Sequence, residues 1–477
     1  MMQTTTGTVR RTNPLITAAR LGLALAVIWT IGPVLARAGD DPPAEPFIRA
    51  TEPDAPGVSI VRLQIASRRF VPLSGDGPAI TLVGAVHVAD APFYEHLQAN
   101  LDAHDAVLFE GVKPPGSGDP LRAPPEARID PATATARRIR FLGTMVQRRK
   151  STSGRYPPSL AQLADALDHR RGELVRANLR DAWGRPFTYA YLSASGNDAD
   201  QPPGQAFDIT SLGADGRPDG EGADADVRLS EQEPIEEMET APGDQPGIQA
   251  VMARSLGLVF QLDGIDTDRP NWINSDLALD QIMDLMATGP DAGDRDGSDG
   301  SAIFEMLDGS SVSASLMRWI FSMVGSNASL QTMLKVLLID MLSNTDLLEA
   351  GMPEQLDHLM RVLIQDRNAV VFEDLAALRR ERPDVRSVAI LYGVGHLEAM
   401  QRRLVGEMGY RPDSTAWSTA IEVDLSDLPI GPAMIQRIRS LFAKQMEQQI
   451  KVMRRLRERG DESTGATGDE SAHTPDD

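Results

Sequence analysis

The chain contains no cysteine, which excludes thiolate nucleophiles, cysteine-ligated zinc and disulfide staples. Any bound ion must therefore rest on imidazole, carboxylate or carbonyl oxygen. Histidine is also scarce, with seven in 477 residues, so each one in a defined setting carries weight. Cations are outnumbered, 47 Lys and Arg against 68 Asp and Glu. The resulting net charge of −21 argues against nucleic acid as a partner, because phosphate neutralisation needs clustered cations.

Long apolar runs are confined to the N-terminus. Arg10, Arg11 and Arg20 precede LGLALAVIWTIGPVLA, which closes on the small-x-small triplet Ala36-Arg37-Ala38. This reads as an export signal over residues 1–38, with cleavage after Ala38 and a periplasmic or envelope location. The alternative is an uncleaved anchor, although Leu21 to Ala36 falls short of the roughly 20 apolar residues that span a bilayer.

The length suggests two folded units with tails. Residues 39–56 are rich in Asp, Pro and Ala and read as a linker, with folding expected to begin near Gly57. VSIVRLQIASRRFVPL and AITLVGAVHV read as strands, PFYEHLQANLDAH as a helix and AVLFEGV as a further strand. The two strands around that helix are expected to be parallel neighbours. A Pro/Gly-rich stretch after Pro114 opens a segment of different texture, expected to be an insertion over residues 121–246. Its ends, Pro114 and Gly247, should then lie close together.

The first texture resumes over residues 247–426, with a Trp272-centred polar turn, Met- and Leu-rich helices, the strand–turn–helix RSVAILYGVGHLEAM and a last strand STAIEVDL. DAGDRDGSDGS, residues 291–301, fails as an EF-hand loop because Asp299 takes the glycine position, and it reads as a linker. Residues 427–460 form a basic amphipathic helix with Ile435, Ile438, Phe442, Met446, Ile450 and Met453 on one stripe. Such a stripe suits packing on its own domain, self-association or contact with an anionic membrane surface. Residues 461–477 are polar enough to be disordered. The fold class expected is α/β, a mixed, largely parallel sheet with helices, plus a small inserted α+β unit.

Three ionisable residues share one structural address. His87 ends TLVGAVHV, Glu110 ends AVLFEGV, and His396 follows SVAILY through Gly393-Val394-Gly395. Parallel strands deliver such residues to one crevice at their carboxyl ends. Two imidazoles and a carboxylate suit a divalent transition metal of the manganese, cobalt or zinc type, which would support hydrolysis. Glu110 fits either a ligand or a general base. The glycines of the two Gly-x-x-His runs, at Gly84 and Gly393, permit close backbone approach.

The order VGAVHVAD, helix, VLFEGV and, far downstream, LYGVGHLEAM resembles the TraB/GumN-like family, which includes the TIKI-type proteins. The resemblance covers roughly residues 57–114 and 247–425. It implies His87, Glu110 and His396 as metal-site residues and a metal-dependent peptidase acting on a peptide or protein. Arg367-Asn368 in QDRNAVVFEDL matches a further family feature, giving Arg367 an expected catalytic role toward an oxyanion or substrate carboxylate. Trp272 and Asn274 in NWINSDL also resemble a family segment.

Within the insertion, RYPPSLAQLADAL, DAWGRPFTYAY and FDITSLGADGRPDGEGADADV resemble, in order, the globular part of the major pseudopilin of type II secretion systems. That resemblance implies a calcium site on the last loop, with Asp215, Asp224, Asp226 and the Leu212 carbonyl as ligands and Asp219 and Glu221 as spares. Closely spaced hard oxygens on a glycine-rich backbone suit Ca2+. No prepilin cleavage site and no long apolar helix lead into this unit, which separates it from a pilus subunit. Two other readings stay open: a non-enzymatic envelope scaffold, and a protein associated with type II secretion.

Overall fold

Runs of β-branched and aliphatic residues broken by Gly, Pro and Asp build a mixed seven-stranded sheet. The computed structural model describes residues 45–51, 59–119, 129–191, 207–232, 248–287, 327–344, 361–431, 433–445, 447–448 and 451. The export signal, most of the linker, Gly247, the acidic stretch 291–301 and the terminal tail lie outside the described residues.

The strands are β1 (Ile48–Thr51), β2 (Ile60–Pro72), β3 (Ala79–Ala85), β4 (Val88–Ala89), β5 (Ala106–Phe109), β6 (Thr188–Tyr191), β7 (Phe207–Ser211), β8 (Val227–Arg228), β9 (Val259–Phe260), β10 (Trp272–Asn274), β11 (Ser387–Gly393) and β12 (Tyr410–Asp424). The main sheet runs β1-β2-β3-β11-β5-β10, with β12 pairing along β2. β3, β11, β5 and β10 are mutually parallel, while β1, β3 and β12 pair antiparallel to β2. The sheet is therefore mixed rather than largely parallel.

The alternation of β2 puts Val61, Leu63 and Ile65 into the core, and the continuous apolar runs of β3 and β11 are buried on both faces. The helix α1 (Ala91–Asp102) follows Asp90 at its N-cap, with Pro92 in its first turn and Phe93, Tyr94, Leu97 and Leu101 buried.

The expected neighbours β3 and β5 are parallel but not adjacent. β11, reached hundreds of residues later, lies between them, pairing Ile390 with Leu82 on one side and with Leu108 on the other. A crossover helix sets strand direction, yet adjacency depends on what else can be buried between the strands. Two further readings change. Part of the expected linker forms β1, paired with Arg62 to Ile65, and the expected polar turn at Trp272 is β10, paired with β5.

At Gly84 a Cβ would stand 2.5 Å from Ile65 Cγ2, and one on Gly393 would stand 3.2 Å from Glu110 Oε2, so both glycines allow a close approach.

The pseudopilin-like segment has its own apolar cluster. Ile139, Leu142 and Val146 of α2 (Pro131–Ser153) meet Leu163 of α3 (Leu160–Asp165), Val175 of α4 (His169–Ala177), and Phe207 and Ile209 of β7. β6, β7 and β8 form a small antiparallel sheet beside it. Asp130 caps α2 by accepting from the Ala132 and Thr133 N–H groups, and Gly154, left-handed at φ 75°, ends it. Arg137 joins this unit to α6 (Leu279–Ala287), which follows α5 (Ile248–Ser255), through Asp280 and Asp284.

Behind the main sheet pack α7 (Ala328–Leu342), α8 (Arg367–Glu381) and α9 (Leu397–Gly406). The C-terminal helix, described over 433–445, buries Ile435, rests Phe442 on the main core and pairs Arg439 with Asp340 of α7 at 2.6 Å. Among the described residues no helix is long and apolar enough to cross a membrane.

Candidate functional site

Four adjacent parallel strands end at the same edge, and each hands a polar residue to it. In spatial order these are His87 after β3, His396 after β11, Glu110 after β5 and Asp276 after β10. The chain leaves β3 at Val86, crosses His87 and enters β4, while Gly393-Val394-Gly395 turns β11 into a 3-10 turn (Val394–His396) that leads into α9. The fourth position was missed by sequence reasoning. A three-residue strand shows no usable period, although the Ser-Asp after Asn274 obeys the same strand-end rule.

Glu110 is the centre. Its Oε1 accepts from Arg367 Nη2 at 2.7 Å, and its Oε2 accepts from the Gly393 N–H at 2.6 Å. Burial alone would raise this carboxyl, but Arg367, the two imidazoles and the Gly393 N–H together hold it down at about 2. Arg367 in turn donates to Asp276, Nε to Oδ1 at 2.9 Å and Nη2 to Oδ2 at 2.7 Å. Asp276 also accepts from the Gly111 N–H at 3.0 Å and the Leu277 N–H at 2.8 Å. Despite burial, these two carboxylates keep the Arg367 guanidinium protonated well beyond its usual range. Arg367 thus bridges two protein carboxylates, Glu110 and Asp276.

His396 is almost fully buried, and its Nδ1 lies 2.7 Å from Asn368 Oδ1. Asn368 Nδ2 faces the His396 carbonyl at 3.4 Å, which orients the amide with its oxygen toward the ring. Nδ1 therefore carries the proton, and Nε2 presents a lone pair. Tyr392 meets the ring edge-on at 5.0 Å between centroids, and its hydroxyl donates to the Ser275 carbonyl. Burial pushes His396 down to about 4, only partly opposed by Glu110, so the imidazole is neutral near pH 7. Burial likewise lowers the half-buried His87, which interacts electrostatically with Glu110 and, from the His396 side, with His396 itself.

Nε2 of His396 stands 3.8 Å from Glu110 Oε1. That is too long for a hydrogen bond, and it sets one lone-pair acceptor against another. Two ligand bonds of about 2.1 Å span such a gap at an open angle, so these donors fit a divalent ion. Among the described residues no three His, Asp or Glu side chains already stand in a full metal-holding group.

The acidic loop between β7 and β8 is a separate feature. Gly213, Gly216, Gly220 and Gly222 all have positive φ, and a Cβ on Gly213 or Gly220 would strike the Asp224 carbonyl at 2.5 Å. Leu212 O accepts from Gly216 N at 3.1 Å, and Asp215 Oδ1 accepts from Arg217 N at 2.9 Å. Asp224 is exposed. Asp226, with its side chain 9% exposed, pairs Oδ2 with Arg228 at 3.0 Å, while its buried Oδ1 has no partner among the described residues.

Residues 125–230 match the family model of type II secretion system protein G. That match covers less than a quarter of the chain, and it supports an envelope or secretion-associated setting for this segment. Comparison with curated proteins and with solved structures found no match.

Proposed function

We propose that the chain is an exported, metal-dependent hydrolase of TraB/GumN-like type, acting on peptide or protein, with a calcium-binding insert. The observation that carries this reading is the facing pair of unprotonated acceptors, His396 Nε2 and Glu110 Oε1, 3.8 Å apart. His396, His87 and Glu110 would hold the divalent ion, whose Lewis acidity supplies the hydrolytic chemistry when it is bound. Asn368 fixes the His396 tautomer, and Arg367 with the Gly393 N–H orients Glu110. Metal-stripped protein should cleave an unfolded protein substrate only after Mn2+, Co2+ or Zn2+ is restored, with chelator abolishing cleavage. Absence of cleavage with all three ions would sink the enzymatic reading.

A second reading has its own support. Both oxygens of Glu110 already have protein donors, and the inserted segment resembles a secretion protein. A scaffold that binds an envelope partner through the insert or the C-terminal helix, by self-association or at a membrane surface, accounts for both.

For the insert, the Asp226 Oδ1, buried and without a partner among the described residues, supports calcium on Leu212 O, Asp215, Asp224 and Asp226. A ligand that binds only the native state stabilises it by mass action, by about 2.7 kcal/mol at a hundredfold excess over Kd. Calcium should therefore raise the melting temperature of the insert's transition in metal-free protein, and Asp226→Ala should remove most of that rise. An unchanged wild-type melting profile would retire the calcium site.

A further inference from the structure

Phe109 and Gly111 flank Glu110 in sequence, and the face they share is bordered by the host sheet and by the insert. Arg170, in the first turn of α4, brings its guanidinium carbon to 5.5 Å from the Phe109 ring centroid. A Cβ on Gly111 would lie 3.3 Å from Arg170 Nη2 and 3.2 Å from Asn274 Nδ2. The missing side chain at Gly111 thus leaves two donor groups beside one space. Asn274 Nδ2 donates to the Gly111 carbonyl at 2.8 Å and has a second N–H to give, while its buried Oδ1, without a partner among the described residues, is an acceptor and takes no part in holding an anion. Trp272, whose ring centroid is 5.8 Å from that of Phe109, has a buried indole N–H with no acceptor among the described residues.

The charge on Arg170 is not neutralised by an ion pair among the described residues. Its Nη1 meets only the Thr267 hydroxyl, at 3.3 Å, and Asp268 accepts from the Arg170 backbone N–H at 2.8 Å. Asp168 is taken by the Arg171 N–H and guanidinium. Burial pushes the Arg170 guanidinium down, against weaker pulls from Asp168 and Asp268. A half-buried guanidinium without a carboxylate is the donor that a planar anion satisfies best, and a buried N–H without an acceptor is costly to leave unmade.

We propose that Arg170, Asn274 and Trp272 form a subsite for a substrate carboxylate beside Glu110, built jointly by the insert and the host sheet. The insert then selects substrate as well as carrying its own ion. The carboxylate is either a peptide's C-terminal group or an acidic side chain near the bond to be cleaved. This rests on the hydrolase reading only for the fate of the bound substrate, since recognition of the anion needs no metal.

Calorimetric titration of the full chain in excess chelator, at fixed ionic strength, tests it with three probes. These are N-acetyl-dialanine, its C-terminal amide, and N-acetyl-glutamic acid α-amide. The wild type should bind at least one of the two acids about tenfold more tightly than the neutral amide, the scale of one charge-assisted hydrogen bond. A preference for the first acid identifies a terminal carboxylate, and a preference for the second identifies a side chain. Arg170→Ala should erase the difference between acid and amide, and Arg170→Lys should keep part of it. Trp272→Phe, which keeps a ring and loses the N–H, should reduce it. Equal binding of acids and amide, no binding of any probe, or a preference that survives Arg170→Ala would overturn the subsite. Metal-dependent cleavage is scored in a separate assay, so loss of one result leaves the other standing.

Discussion

Arg367→Ala should destabilise the main sheet by about 3–5 kcal/mol in urea unfolding, the range for removing one partner of a buried ion pair. Two carboxylates would lose their cation at once, and the Asp276 side chain is fully buried while that of Glu110 is 17% exposed. Arg62→Ala is the matched control. Its pair with Glu422 is 34% and 49% exposed, and its loss should change stability by less than about 1 kcal/mol.

The sign of the pH dependence follows from Glu110. Its folded pKa, about 2, lies below the 4.5 usual for a glutamate carboxyl. Its stabilising contribution is therefore complete above about pH 4.5 and is lost as pH falls toward 2. The gap between wild type and Arg367→Ala should be widest at neutral pH and should narrow below about pH 4.5. A gap that stays constant with pH would mean that Arg367 acts through packing alone.

His396→Ala should weaken binding of a divalent transition metal by more than about 100-fold, because it removes one of the two facing acceptors. Asn368→Ala keeps the ring but frees its tautomer and orientation, and should weaken binding by about 10–100-fold, as outer partners of metal-ligating imidazoles do. Asp226→Ala offers a contrast, since it alters only hard oxygen in the insert and should leave transition-metal affinity unchanged. If His396→Ala and Asn368→Ala both retained wild-type affinity, the lone-pair geometry at Nε2 would have no bearing on metal binding.

The parts of the site that were legible in the sequence are those written as continuous apolar runs ending in glycine. β3, β5 and β11 read clearly, and with them His87, Glu110 and His396, because a fully buried parallel strand leaves an unbroken signal. What was not legible depends on pairing across long separations. β11 lies between β3 and β5 although the helix between them suggested direct contact. β1 sits in an Asp- and Pro-rich stretch, and its four residues are strand only because β2 offers an edge.

β10 is likewise short, so Asp276, the residue that anchors Arg367, gave no pattern to read. The Arg367-Asn368 pair is legible in the sequence, whereas the contacts of Arg367 to Glu110 and Asp276 join residues far apart in the chain and leave no local pattern. Between β7 and β8 the acidic glycine loop is plain from composition, whereas the Asp226 oxygen without a partner among the described residues depends on packing that composition does not describe.

Whether the proposed strand-end constellation binds a divalent transition metal is read out by metal analysis after equilibrium dialysis. Full-length protein, stripped with chelator, would be dialysed against Mn2+, Co2+ or Zn2+ in the presence of calcium and then assayed for bound metal. Wild-type chain should retain one equivalent of transition metal, His396→Ala should lose it and Asp226→Ala should keep it. Wild-type protein that takes up no stoichiometric transition metal, or a His396→Ala variant that takes up as much as wild type, would contradict it.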